Sequence, residues 1–127
     1  MRIRYHTAKG LPPLPLPQGL FPLTYSKHAL LRAQEKNIWL HRLPAFLDTQ
    51  LCELVDIETE DGRLIACTYR RHWTNTTDLV LACQVDTMPW LVRTLYTNKK
   101  EDRHPTLNLD SYCTPGEEHL WTASAAG

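Results

Sequence analysis

The spacing of apolar and polar residues changes period along this chain. Residues 24–38, TYSKHALLRAQEKNI, carry a helical period. With about 100° between successive residues, Arg32 lies about 40° to one side of His28 and Glu35 about 20° to the other. Ala29, Ala33, Asn37 and Leu30 form the opposite arc, which is mostly small and apolar. The spacing predicts a helix over about 25–37. Ser26 or Thr24 is suited to accept an orphan N–H at its start, and Asn37 tolerates a left-handed backbone at its end.

From residue 51 the period becomes two. LCELVDIETE puts Leu51, Glu53, Val55 and Ile57 on one face, and the Asp61-Gly62 pair after it suits a tight hairpin. RLIACTYRRHW is its partner, with Ile65, Cys67 and Tyr69 on one face. LVLACQV is the most apolar run and reads as a central strand. WLVRTLYTN reads as a fourth. The expected fold class is α+β: one main helix packed by its small arc on a four-stranded antiparallel meander.

The flanks obey other rules. GLPPLPLPQGLFPL within residues 1–23 is too rich in proline for a helix, so an irregular N-terminal wrap is expected. Leu20, Phe21 and Leu23 are too apolar for a free tail, which predicts packing against the chain's own domain. Pro44 interrupts the next segment, where a helical turn at 44–48 is expected. Pro105 should stop the sheet, and the closing TASAAG reads as frayed. The length, 127 residues, suits one domain. It divides into the lead at 1–23, helix and sheet at 24–97, and a polar extension at 98–127.

Charge narrows the function. Fourteen basic residues balance fourteen acidic ones, which argues against nucleic-acid binding by bulk charge but leaves room for a local basic patch. Cys52, Cys67, Cys83 and Cys113 include no C-x-x-C pair, and the first three are expected inside strands as small buried hydrophobes. No secretory leader and no membrane-length apolar run is visible. The expectation is a reduced chain in a cytoplasm, without membrane attachment. Neither zinc spacing, a glycine-rich phosphate loop nor a G-x-S-x-G elbow occurs, so no metal or cofactor is expected.

The run SKHALLRAQEK resembles the opening helix, S-K-H-A-x-x-R-x-x-E-R, of small toxin-like proteins of the BrnT and RelE class. Ser26, Lys27, His28, Ala29, Arg32 and Glu35 carry the match, and Lys36 stands where arginine is more usual. The likeness extends over about 24–97. TLYTNKKEDRHPTLNLDSY further looks like part of short phage proteins. The first resemblance implies a compact ribonuclease fold that cleaves RNA without a metal. Such cleavage needs a base near the 2′-hydroxyl, an acid at the leaving oxygen and cations on the phosphate. On this reading His28, Arg32, Glu35, Arg93 and Tyr96 are the catalytic candidates. Arg93 shares a two-residue spacing with Leu91 and Leu95, where a lone charge needs a partner, either Glu35 or phosphate. Arg70, Arg71, His72, Lys99, Lys100 and His104 are the RNA-binding candidates.

Plainer roles compete for the same residues. Arg70, Arg71 and His72 at a strand end can simply guard an edge. Lys99 and Lys100 are offset by Glu101 and Asp102. The rival function is a non-catalytic, phage-type protein that binds and inhibits a bacterial host protein in the host cytoplasm. Exposed Trp39, Trp73, Trp90 or Trp121 would anchor it. Partners thus stand as RNA, a host protein, or a second copy of the chain in a homodimer. A regulatory DNA binder is disfavoured by the neutral charge and the lack of a helix-turn-helix.

Overall fold

Seven strands, rather than four, make up the sheet. The computed structural model describes residues 1–102 and 108–121. Strands β1 (Arg2–His6), β2 (Leu20–Tyr25) and β3 (Phe46–Asp48) come early in the chain. Strands β4 (Glu53–Glu60), β5 (Arg63–His72), β6 (Thr77–Gln84) and β7 (Trp90–Lys99) come after them. Their order is β1-β4-β5-β6-β7-β2-β3, and the β2–β7 pair is parallel. The sheet is therefore mixed. The four-stranded meander expected from sequence is corrected to this larger sheet, with one main helix, α1 (Lys27–Glu35), and a short helical turn at 118–121.

The added strands come from the segment read as an irregular wrap. Arg-Ile-Arg-Tyr-His alternates polar and apolar residues, and Ile3 and Tyr5 turn inward while β1 pairs antiparallel with β4. Strand β2 lies between β7 and β3 despite Pro22. Its ladder with β7 begins at Leu23, one residue later, so the donor missing from proline is not called on there. The helical turn expected at 44–48 is also corrected. Phe46–Asp48 forms β3, flanked by 3-10 turns at Leu40–Arg42 and Thr49–Leu51.

Apolar side chains of β4–β7 meet those of β1–β3 and α1 in one core. Trp90 is buried between Phe21, stacked at 4.1 Å, and Tyr69, stacked at 6.0 Å. Ala29 and Ala33 of α1 are fully buried in the same cluster, so the small arc allows close approach to the sheet. Ser26 fastens the helix at its start. Its Oγ accepts from the Ala29 N–H and donates to the Arg93 carbonyl, each at 3.0 Å. Asn37 takes the left-handed conformation, φ 58°, just beyond the last turn. Asp61 and Gly62 both have positive φ in the β4–β5 turn, which requires little more than an Asp-Gly pair.

Three irregularities break the strict period of two. They fall between Leu54 and Asp56, between Glu58 and Thr59, and between Ala82 and Cys83 opposite β7. The last matters most, because it leaves Arg93 as an extra residue between Val92, paired with Cys83, and Thr94, paired with Ala82. Val92 and Leu95 then both reach the core, and Leu95 does not share a face with Arg93 as the simple alternation predicts. Among the described residues no helix is long and apolar enough to cross a membrane.

The packing of α1 is open to direct test. Ala33→Asp places a carboxylate where no solvent reaches, and should cost about 3–5 kcal/mol. A thermal melt of the variant within a degree or two of the parent would overturn the packing of this face.

Candidate functional site

The residues expected to surround a scissile phosphate lie on two faces of the sheet. His28, Arg32 and Glu35 sit on the solvent side of α1, with Arg32 Nη1 3.0 Å from Glu35 Oε2. Helix α1 covers the core face. Arg93 and Tyr96 project from the other face of β7, beside Glu58 and beside Asp56 and Arg70. Arg93 Nη2 is 3.7 Å from Glu58 Oε2 on β4, so its carboxylate is Glu58 and not the expected Glu35. The contact spans β5 and β6, whose register puts the small residues Ala66 and Ala82 on that face. Burial pushes the Tyr96 hydroxyl above its ordinary pKa, with the charge of Asp56 adding to the effect, which opposes a role as base.

Several RNA-binding candidates do converge, but around a carboxylate. Arg70 is buried. Its Nε donates to Asp78 Oδ2 at 2.7 Å, and Nη1 and Nη2 donate to the carbonyls of Asp102 and Lys99 at 2.7 and 2.8 Å. Lys100 Nζ lies 2.7 Å from Asp78 Oδ1 and 2.9 Å from His72 Nδ1. An ammonium only donates, so His72 accepts through an unprotonated Nδ1. This cluster ties the turn after β7 onto β5 and β6. Partial burial works to raise the Asp78 carboxyl, but the hydrogen bonds and charges of Lys100 and Arg70 outweigh it, and the group lies below its usual range. Lys99 is exposed at the end of β7, while His104 lies outside the described residues.

A second charged row crosses the same face. Arg2 is 3.7 Å from Glu58, and Arg4 is 3.7 Å from Asp56. Tyr112 donates to Asp56 at 3.0 Å and accepts from Arg4 at 2.9 Å. Burial, then Asp56, pushes its hydroxyl up to about 12. Arg2, Arg4, Arg32, Arg70, Arg93 and Lys100 thus all have carboxylate partners, and a phosphate would have to displace them.

The opposite case is a cleft of about 470 Å³ beside β3. Leu20, Phe46 and Leu51 provide its apolar wall, and Arg71, His72 and Asp48 its polar groups. Arg71 belongs to β5 but points to the other face from Arg70. Among the described residues no carboxylate lies within ion-pair distance of it. Its Nε donates only to the His72 carbonyl, at 3.2 Å. Sequence reasoning found Arg71 and His72 and missed Leu20, Phe46 and Leu51. The available signal was PAFLDTQL, where Phe46 and Asp48 alternate with core Leu47.

Cys52 also borders the cleft. It ends the 3-10 turn before β4 and is not inside a strand, contrary to expectation. All four cysteines are free thiols. Burial raises each of them, Cys67 to about 11 and Cys83 to about 12, with the neighbouring Cys67 adding to the rise at Cys83. High-pKa thiols are poor nucleophiles. Among the described residues no group of three or more His, Cys, Asp or Glu could hold a metal ion.

Four outcomes are expected. Arg70→Gln should cost about 1–3 kcal/mol, because Asp78 Oδ2 and the carbonyls of Lys99 and Asp102 lose their buried donor while Lys100 still pairs with Asp78. Arg93→Ala, at a solvent-accessible pair, should cost less than about 1 kcal/mol. The Asp78 contribution has a defined pH window. Its folded pKa is lowered, so the stabilisation is complete above the unfolded value of about 3.9 and disappears as pH falls through the folded value. Denaturant titrations of the parent and Asp78→Asn should differ by a constant amount at pH 6–8 and begin to converge only below about pH 4. A thiol reagent should modify half-buried Cys52 first, and reach Cys67, Cys83 and Cys113 only on unfolding. Equal labelling of all four thiols in the native protein would contradict their burial. Comparison of this chain with protein-family models, curated proteins and solved structures finds no match in any of the three.

Proposed function

We propose that this chain is a non-catalytic binding protein, holding a protein partner on the surface formed by residues 39–51 and the start of β2. One observation carries this reading. Nine large hydrophobic side chains are exposed among the described residues; three of them, Leu20, Phe46 and Leu51, line the cleft beside β3, and two more from the same connection, Trp39 and Leu40, line a separate concavity of about 360 Å³. Exposed apolar residues scattered singly need no explanation, but a concentration around a cleft marks a contact surface. Of the tryptophans considered as anchors, Trp90 is buried, Trp73 and Trp121 are half-buried, and Trp39 is 70 % exposed. Trp39 is accordingly the anchor this reading favours.

The ribonuclease reading asks for His28, Arg32 and Arg93 around one phosphate. Their division between two faces, and the pairing of both arginines with glutamates, weigh against it.

A photo-crosslinking residue at Leu51 tests the proposal in bacterial lysate, with the same residue at Arg2 on the far edge as control. The Leu51 protein should form one discrete adduct that the Arg2 protein does not. Trp39→Ala and Phe46→Ser should each weaken it tenfold or more, while shifting stability by less than about 1 kcal/mol because both side chains are largely exposed. The opposite result is equally readable. Purified protein that cleaves RNA, and slows tenfold or more in Arg32→Ala and Arg93→Ala, would replace the binding reading with the ribonuclease one. That loss corresponds to about 1.4 kcal/mol or more of transition-state stabilisation.

A further inference from the structure

The two edges of the sheet are finished differently. At one edge, β1 carries Arg2 and Arg4 in ion pairs, and the segment at 112–113 lies along it, with the Cys113 N–H donating to the Arg4 carbonyl at 2.8 Å. Charge and a covering segment are common ways to stop an edge strand from recruiting another. The other edge is β3, which has no lysine or arginine.

The ladder shows which groups of β3 are open. The Leu23 N–H donates to the Ala45 carbonyl, and the Thr49 N–H to the Gly19 carbonyl, each at 2.9 Å. Leu47, opposite Phe21, falls in the same alternation. Phe46, between Ala45 and Leu47, therefore directs its own N–H and C=O away from β2. Its ring is 54 % exposed and lines the cleft with Leu51, which is 78 % exposed. Across the cleft stands Arg71, with no carboxylate within ion-pair distance among the described residues. Two other titratable side chains line the cleft, and each holds a hydrogen bond. Asp48 Oδ1 accepts the Gln50 N–H at 3.0 Å, and His72 Nδ1 accepts from Lys100.

We propose that the cleft takes an extended segment of a partner protein, which adds as a strand to β3 and presents an acidic side chain to Arg71. The inference rests on the protein-binding reading and deepens it by naming the form and charge of the bound segment. Main-chain hydrogen bonds at Phe46 supply the docking geometry, Leu20, Phe46 and Leu51 take alternate apolar side chains, and Arg71 selects the acid. A second copy fits less well. Antiparallel self-pairing centred on Leu47 would set Phe46 against Asp48 of the other copy, an aromatic ring against a carboxylate.

The test uses the full isotope-labelled chain and four capped peptides. One is acetyl-Val-Glu-Val-Glu-Val-amide, one has lysine in place of glutamate, and two are the acidic peptide N-methylated at alternate residues, one on each edge. The acidic peptide should shift the Phe46 amide resonance and slow its hydrogen exchange tenfold or more. The lysine peptide should bind at least fivefold more weakly. Arg71→Gln should abolish that preference while leaving the fold intact, as judged by unchanged core resonances. N-methylation of the edge that pairs should remove protection at Phe46, and methylation of the other edge should not. Exchange at Phe46 unchanged by saturating acidic peptide, or equal binding of the lysine peptide, overturns the proposal. So does a sedimentation-detected dimer whose Phe46 amide is already protected, since the second copy would then occupy the edge. A Leu51 cross-link to a partner combined with an unprotected Phe46 amide would sink strand addition alone and leave the binding reading standing.

Discussion

The aromatic stack at Trp90 is the contact on which the rest of the architecture turns. Trp90 begins β7, and its indole lies between Phe21 of β2 and Tyr69 of β5. Aromatic rings bury large apolar areas, and stacked pairs add to that gain. Shielding this one side chain requires β2 to lie beside β7, which draws the N-terminal segment into the sheet. Strand β3 then pairs with β2 and becomes the edge. The connection from α1 to β4 is carried round until its 3-10 turn stands near the end of β5. The cleft is the gap that remains between that connection and β5. Core packing and the candidate binding surface are thus consequences of the same burial.

The charges obey a second constraint. The chain is neutral, and among the described residues Glu35, Asp56, Glu58, Glu60, Asp61 and Asp78 each lie within ion-pair distance of a cation. Glu58 alone lies near both Arg2 and Arg93, and Asp78 near both Arg70 and Lys100. These contacts differ in consequence. Arg70 is desolvated, so its hydrogen bonds to Asp78 and to two carbonyls are a condition for burying it at all. Arg2 and Arg93 keep much of their hydration, and their pairs contribute little to stability. In both cases the cation is withdrawn from the field that a nucleic acid would meet. Arg71 escapes because strand alternation turns it to the other face from Arg70, where no carboxylate approaches it among the described residues.

Local patterning determined a good deal. The helix at Lys27–Glu35, its Ser26 cap, its left-handed Asn37, the Asp61-Gly62 turn and the burial of Ala29 and Ala33 all arise from interactions within a few residues or from one amphipathic period. The alternation of Arg2–His6 also contained a strand, obscured by the proline-rich stretch after it. Tertiary structure decided the features that depend on residues far apart in sequence. Pairing of β2 with β7 joins positions separated by about seventy residues, and no local period reports it. A single extra residue at Arg93 reverses the facing of the residues after it, so alternation counted along the chain assigned Leu95 to the wrong side. The partners of Arg93 and Arg70 were likewise beyond reach, because an ion pair is chosen by proximity after folding and not by spacing before it. The cleft beside β3 is the extreme case: Leu20, Phe46, Leu51 and Arg71 have nothing in common in the sequence, and only the closure of the sheet around Trp90 sets them at one surface.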